Sequence, residues 1–470
     1  MKSTNQLFSS ATWHRNLNIK AMGERISHFF ETADAGRIFV QGSTLVLLLG
    51  GIHLVLVMQH EFEQYNLQRL STSFGTFFLA LSAGLLLFKA FYFVFMLYRY
   101  FRYRPVASVS DTELPACTVI VPAYNEGKQV WATLHSLAAS NYPASRLQLI
   151  AIDDGSQDDT WTWMQKAKSE LGDRVEIFQQ PENKGKRHAL YRGFHLGRGD
   201  VFVTVDSDSE VEANTLRNLV SPFVTNAQCG AVAGNIRVLN TGRALLPKML
   251  DVSFVLSFEF VRSAESTLNT VLCTPGALAA YRREAVFNCL ERWIHQTFLG
   301  QPSDIGEDRA MTNMILKQGY HVLFQRNAVA YTEVPEKYRG LHKMFTRWGR
   351  SNVRENIEMA KYVFTDFRKG SKAGARLLFL GQSLRILMCY PLLVFMLYFV
   401  LTQPLLFLSS TLLSILVVTT FPVIFYARRY TLSESFWAYS YSILYTFALF
   451  WITPYAIATA HKRGWLTRKL

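Results

Sequence analysis

The chain has 470 residues, half of them hydrophobic and 14% aromatic, enough for two or three ordinary domains and too apolar in patches for a wholly water-soluble protein. Its net charge is +14, from 49 basic and 35 acidic side chains, but the bases crowd apolar flanks and a few motifs, so anionic lipid and an anionic substrate account for them and no nucleic-acid module is expected. The five cysteines (117, 229, 273, 289 and 389) show no paired or zinc-like spacing, and disulfides are not expected in a reducing compartment.

In chain order, two apolar runs come first, around 39–59 and at 73–97. Runs of about 20 apolar residues cross a bilayer as helices. Lys2, Arg15, Lys20, Arg25 and Arg37 precede the first run, "RYFRYR" (99–104) follows the second, and Arg69 lies between them. The positive-inside rule therefore puts the N-terminal segment and the region after residue 104 in the cytoplasm. The long polar stretch ahead of the first run argues against a cleavable signal peptide.

From 117 to 334 short apolar runs alternate with helix-like stretches. Strands are predicted at 117–124, 147–153, 175–180, 201–206 and 231–238, which implies an α/β domain with a mainly parallel sheet. Ligands in such sheets bind beyond the carboxyl ends of the strands. Two strands end there in acid pairs, Asp153–Asp154 in "IAIDDGS" and Asp206–Asp208 in "VTVDSD". One such acid is an ordinary turn former. Four carboxylates gathered at one edge repel each other unless a cation sits among them, and their hard oxygens with substrate phosphates suit Mg²⁺ or Mn²⁺. Glu210 reads as a solvated neighbour. Between the pairs, "ENKGKRHAL" sets Lys184, Lys186 and Arg187 before a helix whose dipole they oppose. An anionic ligand explains them, and a solvated basic turn is the alternative. Neither a P-loop nor a dinucleotide fingerprint is present.

"VIVPAYNE", "AIDDGSQDDT", "NKGKRHAL" and "VDSD", in this order and spacing, resemble the inverting family 2 glycosyltransferases of GT-A fold. "FLGQPSDIGEDRAMTNMILKQGY" and "RWGRSNVRE" narrow the resemblance to the processive membrane branch of hyaluronan synthases, chitin synthases and nodulation chitooligosaccharide synthases. The resemblance implies that Asp154, with Asp153, contacts the nucleotide base or ribose, and that Lys186 and Arg187 line the nucleotide pocket. It implies Asp208 as the metal ligand on a UDP diphosphate, supported by Asp206. In "GEDR" it assigns Asp308 as catalytic base, with Glu307 competing on sequence alone; inversion needs such a carboxylate to take the acceptor proton. A helix-terminal acid pair answering the dipole is the alternative.

Residues 340–355 read as an amphipathic helix, with Leu341, Met344, Phe345 and Trp348 on one stripe and Arg347, Arg350 and Arg354 on another. It is expected to lie on the membrane surface, or, by the resemblance, to bring Arg347 and Arg350 to the diphosphate and Trp348 to the acceptor sugar. Met344 replaces the Gln usual in the family. "LCTPGALAAYRRE" (272–284) resembles the priming loop with Pro275 and Gly276 exchanged, and places Cys273 near the acceptor.

Three further apolar runs follow at 386–401, 404–426 and 436–458. The final "RGWLTRKL" resembles an element that covers the nucleotide, implying roles for Trp465, Thr467 and Arg468; a basic interfacial tail is the alternative. Three spans starting in the cytoplasm would put this tail outside, so one run is expected to be interfacial or re-entrant and the tail cytoplasmic. His53, Lys89 and Arg385, in or beside apolar runs, are candidates to line a polymer channel.

The expected architecture is thus an α/β GT-A-type glycosyltransferase domain inserted between transmembrane helices of a polytopic protein. Residues 1–104 form a cytoplasmic segment and two spans, 105–340 the catalytic domain, 341–385 interface helices, 386–460 the C-terminal spans and 461–470 a cytoplasmic tail. The expected function is processive polymerisation of a UDP-sugar, best UDP-GlcNAc, with translocation of the chain across the plasma (inner) membrane. The alternatives are single transfer to a lipid, or a transporter carrying an inactive domain. Expected partners are the UDP-sugar, the growing polysaccharide and the bilayer, with export partners open.

Overall fold

The structure is a computed structural model that describes residues 35–463. The apolar runs between 117 and 238 become strands buried on both faces, as a parallel sheet covered by helices requires. They are β1 (Cys117–Ala123), β2 (Leu147–Asp153), β3 (Val175–Gln179), β4 (Val201–Thr204), the short β5 (Ser209–Val211) and β6 (Cys229–Val238). Further strands follow at β7 (Ala279–Arg282), β8 (Thr297–Phe298), β9 (Gln301–Pro302) and β10 (His321–Thr332). β8 and β9 form a separate hairpin.

The main sheet has the order β3-β2-β1-β4-β7-β6-β10-β5. Pairs β2–β3, β1–β2, β1–β4 and β6–β10 are parallel, whereas β7 runs antiparallel to both its neighbours and β5 antiparallel to β10. The five predicted strands are present, in a mixed sheet. β4 stops at Thr204 because the chain turns at once, with Ser209 N–H donating to the Asp206 carbonyl at 3.1 Å. Since β2 and β4 flank β1, both acid pairs arrive at the same edge.

Helices with an apolar stripe cover both faces. Phe202, Ile150 and Trp293 are fully buried in one cluster, Val119, Leu134 and Leu149 in the other. Each such side chain contributes about 1.5–3 kcal/mol over an exposed one.

Among the described residues three helices, Ala35–Val57, Ser73–Arg102 and Pro404–Ala427, are long and apolar enough to cross a membrane. Two further pairs reach that length across a bend, Ala373–Leu387 with Cys389–Thr402 at 43° and Leu432–Ala448 with Ile452–Ala458 at 49°. The compositional boundary after residue 385 falls inside the first pair, because Arg385 interrupts an apolar run without ending the helix.

Polar ties fix which helix ends meet the domain. Arg99 donates to Thr267 Oγ1 at 2.8 Å, and the Tyr103 hydroxyl to the Phe324 carbonyl at 2.8 Å. At the end of Pro404–Ala427, Arg429 reaches Glu259 at 2.6 Å, and the Tyr426 hydroxyl donates to Asp251 at 2.8 Å. Arg37 pairs with Glu434 at 2.7 Å. The last bent pair begins at that pairing and finishes on the domain, where Arg354 takes the carbonyls of Ala460 and Lys462 and Arg463 pairs with Asp304 at 2.8 Å. Both ends of the third C-terminal run therefore lie on the domain side. Trp465, Thr467 and Arg468 fall outside the described residues.

Candidate active site

A cavity of about 1080 Å³ opens at the carboxyl ends of β1, β2 and β4. Asp154, Lys186, Asp206, Asp208, Glu307 and Asp308 line it, together with Cys273, Arg347 and Trp348.

Asp154 shapes the basic loop. Its carboxylate accepts from the N–H groups of Lys184 (3.1 Å) and Gly185 (2.7 Å) and from Gln180 Nε2 at 2.6 Å. Burial, its largest influence, raises the carboxyl to about 6 against those bonds. The loop so held places Lys186 at the first position of the helix Lys186–Leu196. Its ammonium lies 2.5 Å from Asp206 and 3.0 Å from Glu307. This ion cluster, rather than the helix dipole, accounts for a cation at that terminus. Burial works against the charged ammonium, but Asp206, Glu307 and Asp308 together raise its pKa.

Glu307 and Asp308 occupy the first turn of Glu307–Lys317, after Gly306 in a left-handed conformation. A side chain at Gly306 would collide with Ser351, 1.8 Å from the Cβ position, so only glycine admits this entry. Asp308 accepts from the Arg309 N–H at 2.7 Å and the Gly276 N–H at 3.2 Å. Burial first, and Glu307 second, raise its carboxyl above the ordinary range. Burial pushes Glu307 up as well, but Lys186 and Arg347 bring it below the ordinary value. The two adjacent acids thus separate, leaving Asp308 the more basic. Cys273 Sγ lies 3.9 Å from Asp308, and burial raises its thiol to about 12, which removes it as a nucleophile.

Asp208 accepts from Thr332 Oγ1 at 3.1 Å. No group of three or more metal-ligating side chains is found among the described residues. The donor set still fits Mg²⁺ or Mn²⁺, which bind through one or two carboxylates and complete their shell with phosphate oxygens and water. Asp206 and Asp208 are two such carboxylates on one cavity wall.

Other predicted residues stand elsewhere. Asp153 is buried behind the edge, accepting from Ser156 N–H and Gln179 Nε2. Arg187 is buried over the Trp293 ring and donates to the Trp293 carbonyl at 2.5 Å. Arg350 turns away from the cavity and donates to Thr459 at 3.0 Å. Trp348, 38% exposed, presents its ring to the cavity beside Phe254. His53 and Lys89 are exposed on their helices and do not line the cavity, whereas Arg385 does. Sequence reasoning missed Arg262, Glu265 and Arg309, which also line it; Arg309 closes the "GEDR" motif and could have been found there, whereas no motif or periodicity sets Arg262 and Glu265 apart.

Residues 115–351 match the family described as glycosyltransferase like family 2. The chain is 34% identical over 250 residues to an N-acetylglucosaminyltransferase of Rhizobium meliloti (strain 1021), covering 53% of this chain and 58% of that protein. It is 33% identical over 252 residues to a hyaluronan synthase of Streptococcus pyogenes, covering 53% and 59%. With an N-acetylglucosaminyltransferase of Azorhizobium caulinodans it shares 30% identity over 297 residues, 60% of this chain and 74% of that one. The chain thus spans little more than half the length of the first two. Among solved structures, a mannosyltransferase from Pyrobaculum calidifontis in complex with GDP-Man and Mn²⁺ superposes with a TM-score of 0.52 at 22% identity, covering 77% of this chain and 97% of that one. That likeness extends to the fold.

Proposed function

Since the chain belongs to glycosyltransferase family 2, with a GT-A-type domain between apolar helices, we propose that it is a processive inverting transferase. It polymerises a UDP-sugar, best UDP-GlcNAc, into a β-linked polysaccharide and passes the chain across the plasma (inner) membrane, the domain facing the cytoplasm. The observation that carries this reading is the continuity of one cavity. Its lining runs from Asp154 and Lys186, past Glu307 and Asp308, to Tyr92, Gln382, Arg385 and Tyr445 on the apolar helices. The relatives named as an N-acetylglucosaminyltransferase and a hyaluronan synthase support the donor and product class.

In this mechanism the acceptor hydroxyl attacks the anomeric carbon opposite the departing diphosphate. The new C–O bond forms as the bond to phosphate breaks, UDP leaves with that electron pair, and Asp308 takes the hydroxyl proton. The raised carboxyl of Asp308 favours proton uptake. Asp206 and Asp208 would hold the divalent cation, which supplies charge neutralisation at the diphosphate. Lys186 and Arg347 add positive charge where the leaving group grows negative. Asp154 orders the loop beneath the nucleotide, and Trp348 offers its face to the acceptor ring.

Purified protein given UDP-GlcNAc, or a panel of UDP-sugars, with Mg²⁺ or Mn²⁺ tests this. A long polymer is expected. One sugar added to lipid would replace processivity with single transfer, and no UDP release under any condition would remove the enzyme reading. Asp308→Asn should lower turnover by about 10²–10⁴-fold, the usual worth of a general base, with UDP binding kept. Undiminished turnover would eliminate Asp308 as the base.

A further inference from the structure

Behind the cavity wall at Asp308, three hydroxyls form a buried chain, and none of them lines the large cavity. Thr274 and Thr312 are fully buried and Tyr281 is 2% exposed. Tyr281 Oη lies 2.9 Å from Thr274 Oγ1, which lies 2.7 Å from Thr312 Oγ1. Thr312 Oγ1 also meets the Asp308 carbonyl at 2.7 Å and accepts from the Thr274 N–H at 3.1 Å.

Proton counting fixes the direction of each bond. A carbonyl only accepts and a hydroxyl has one hydrogen, so Thr312 commits its hydrogen to Asp308. Thr274 must then donate to Thr312, and Tyr281 to Thr274. Burial raises the pKa of the Tyr281 hydroxyl, which keeps that end of the chain a donor. Thr312 Oγ1 thereby has both lone pairs filled, by the N–H and the O–H of one residue.

These two bonds clamp Thr274 to the helix Glu307–Lys317, one turn beyond Asp308. Pro275 follows, its φ held at about −65° by the ring. Next comes Gly276, whose N–H donates to Asp308 Oδ2 at 3.2 Å. The loop is therefore held at two points on one helix, and the second point is the carboxylate itself. Tyr281 ties the same loop to β7 inside the sheet, where it pairs with Phe202 and Ala231.

We propose that Thr312, Thr274 and Tyr281 are positioning residues for the transfer, a directional hydroxyl relay that fixes the Gly276 N–H against Asp308. With the Gly276 N–H on one oxygen and the Arg309 N–H on the other, the carboxylate cannot rotate. This relay rests on the reading of Asp308 as base, and adds the residues that orient it. Its direction makes the substitutions unequal. Removing the Tyr281 hydroxyl leaves only a lone pair on Thr274 unfilled. Removing the Thr312 hydroxyl leaves two buried donors of Thr274 without an acceptor, and such donors are the costlier loss.

The test uses the full chain in phosphatidylcholine nanodiscs with UDP-GlcNAc and Mn²⁺, read by UDP release. Thr312→Val keeps the shape and loses the hydroxyl. It should lower kcat about 10²-fold, the worth of an ångström of misplacement, with KM for UDP-GlcNAc as in the parent. Thr312→Ser should recover most of that loss, and Tyr281→Phe should cost less than Thr312→Val. The Asp308 carboxyl is faced by Glu307, Lys186, Arg309, Cys273 and Tyr281. Losing the Gly276 N–H raises its pKa, so the acid limb of kcat should move to higher pH in Thr312→Val. Hydrogen exchange of residues 272–281, followed by mass spectrometry without donor, should be faster in the valine variant than in the serine one. UDP affinity equal to the parent's verifies folding, and if Thr312→Val fails to fold, Thr274→Val against Thr274→Ser carries the same comparison. Parent-like kcat and exchange in a folded valine variant would overturn the relay, as would a serine variant no better than the valine one. Should Asp308→Asn keep full turnover, the base reading fails, while faster exchange in Thr312→Val still upholds the hold on the loop.

Discussion

Lys186 touches Asp206 and Glu307 at once, and the space above it is closed by Gly276, where an added Cβ would sit 2.5 Å from the ammonium. The motifs carrying these residues were readable because each breaks a local rule: a strand ending in acids, a cation at a helix N-terminus. Their meeting was not readable, since it depends on four segments that only the sheet order brings together. Asp154 shows the same division. Its place at the end of β2 was legible, but its bonds to the Lys184 and Gly185 N–H groups were not. Those bonds do not offset its burial, so its carboxyl stands at about 6 against an ordinary 3.8. The folded chain therefore binds this proton more tightly than the unfolded chain does. The resulting stabilisation is full below the unfolded value and is lost as pH rises through the folded one. Asp154→Asn does not titrate, so the stability of the parent relative to this variant should fall as pH rises from 3.8 to about 6. Thermal midpoints of both proteins across that range check the sign. A difference that grows with pH would mean the carboxylate is stabilised in the fold.

At the scale of elements, the helix Tyr338–Ala360 was visible from its period, but not which stripe it buries. A basic stripe suggested a membrane surface. Instead Arg350 and Arg354 are both 2% exposed, packed beneath the helix Ile452–Ala458. Just beyond that helix's end, Arg354 takes the carbonyls of Ala460 at 2.6 Å and Lys462 at 2.7 Å, with Ser303 at 3.1 Å on its third nitrogen. Periodicity cannot reveal this, because the partner lies about a hundred residues away. β10 escaped notice for a different reason. Its register against β6 shifts between Gln325 and Val329, which breaks the alternation a strand is recognised by. Arg354→Leu strands the buried Ala460 carbonyl and the partly buried Lys462 carbonyl and should destabilise the protein by about 2 kcal/mol. Arg354→Lys keeps the charge without the fork and should fall between the two. Limited trypsin digestion provides the check, since Lys462 and Arg463 are exposed sites at the freed end. Cleavage there should be faster in the leucine variant, and unaltered cleavage with an unaltered thermal midpoint would refute the tie.

For the whole molecule, the apolar runs were legible by length, but the path they trace required the polar ties at their ends. Ala35–Val57 leads away from the domain side and Ser73–Arg102 returns to it. The bent pair 373–402 leads away again, and Pro404–Ala427 returns to Glu259. The last pair starts at Arg37 and ends at Asp304, so it enters and comes back on one side. If the three long helices and the first bent pair are the ones that cross, the domain, Arg37 and residue 463 share one side. The helix Gln59–Leu70 then lies on the far side and carries one basic side chain, Arg69, to two acidic ones, Glu61 and Glu63, while Arg99, Arg102, Arg428 and Arg429 sit on the domain side. That asymmetry is the one the positive-inside rule expects of the orientation proposed above, with the domain facing the cytoplasm. A run that returns does not change sides, which is what the proposed cytoplasmic tail requires. Single cysteines at three exposed positions test the path with a membrane-impermeant maleimide. Gln64→Cys should label on intact cells, whereas Asp173→Cys and His461→Cys should label only after the membrane is opened. Labelling of His461→Cys from outside would mean that the third run crosses, and the ties between Arg354 and the chain end could not then exist in the membrane.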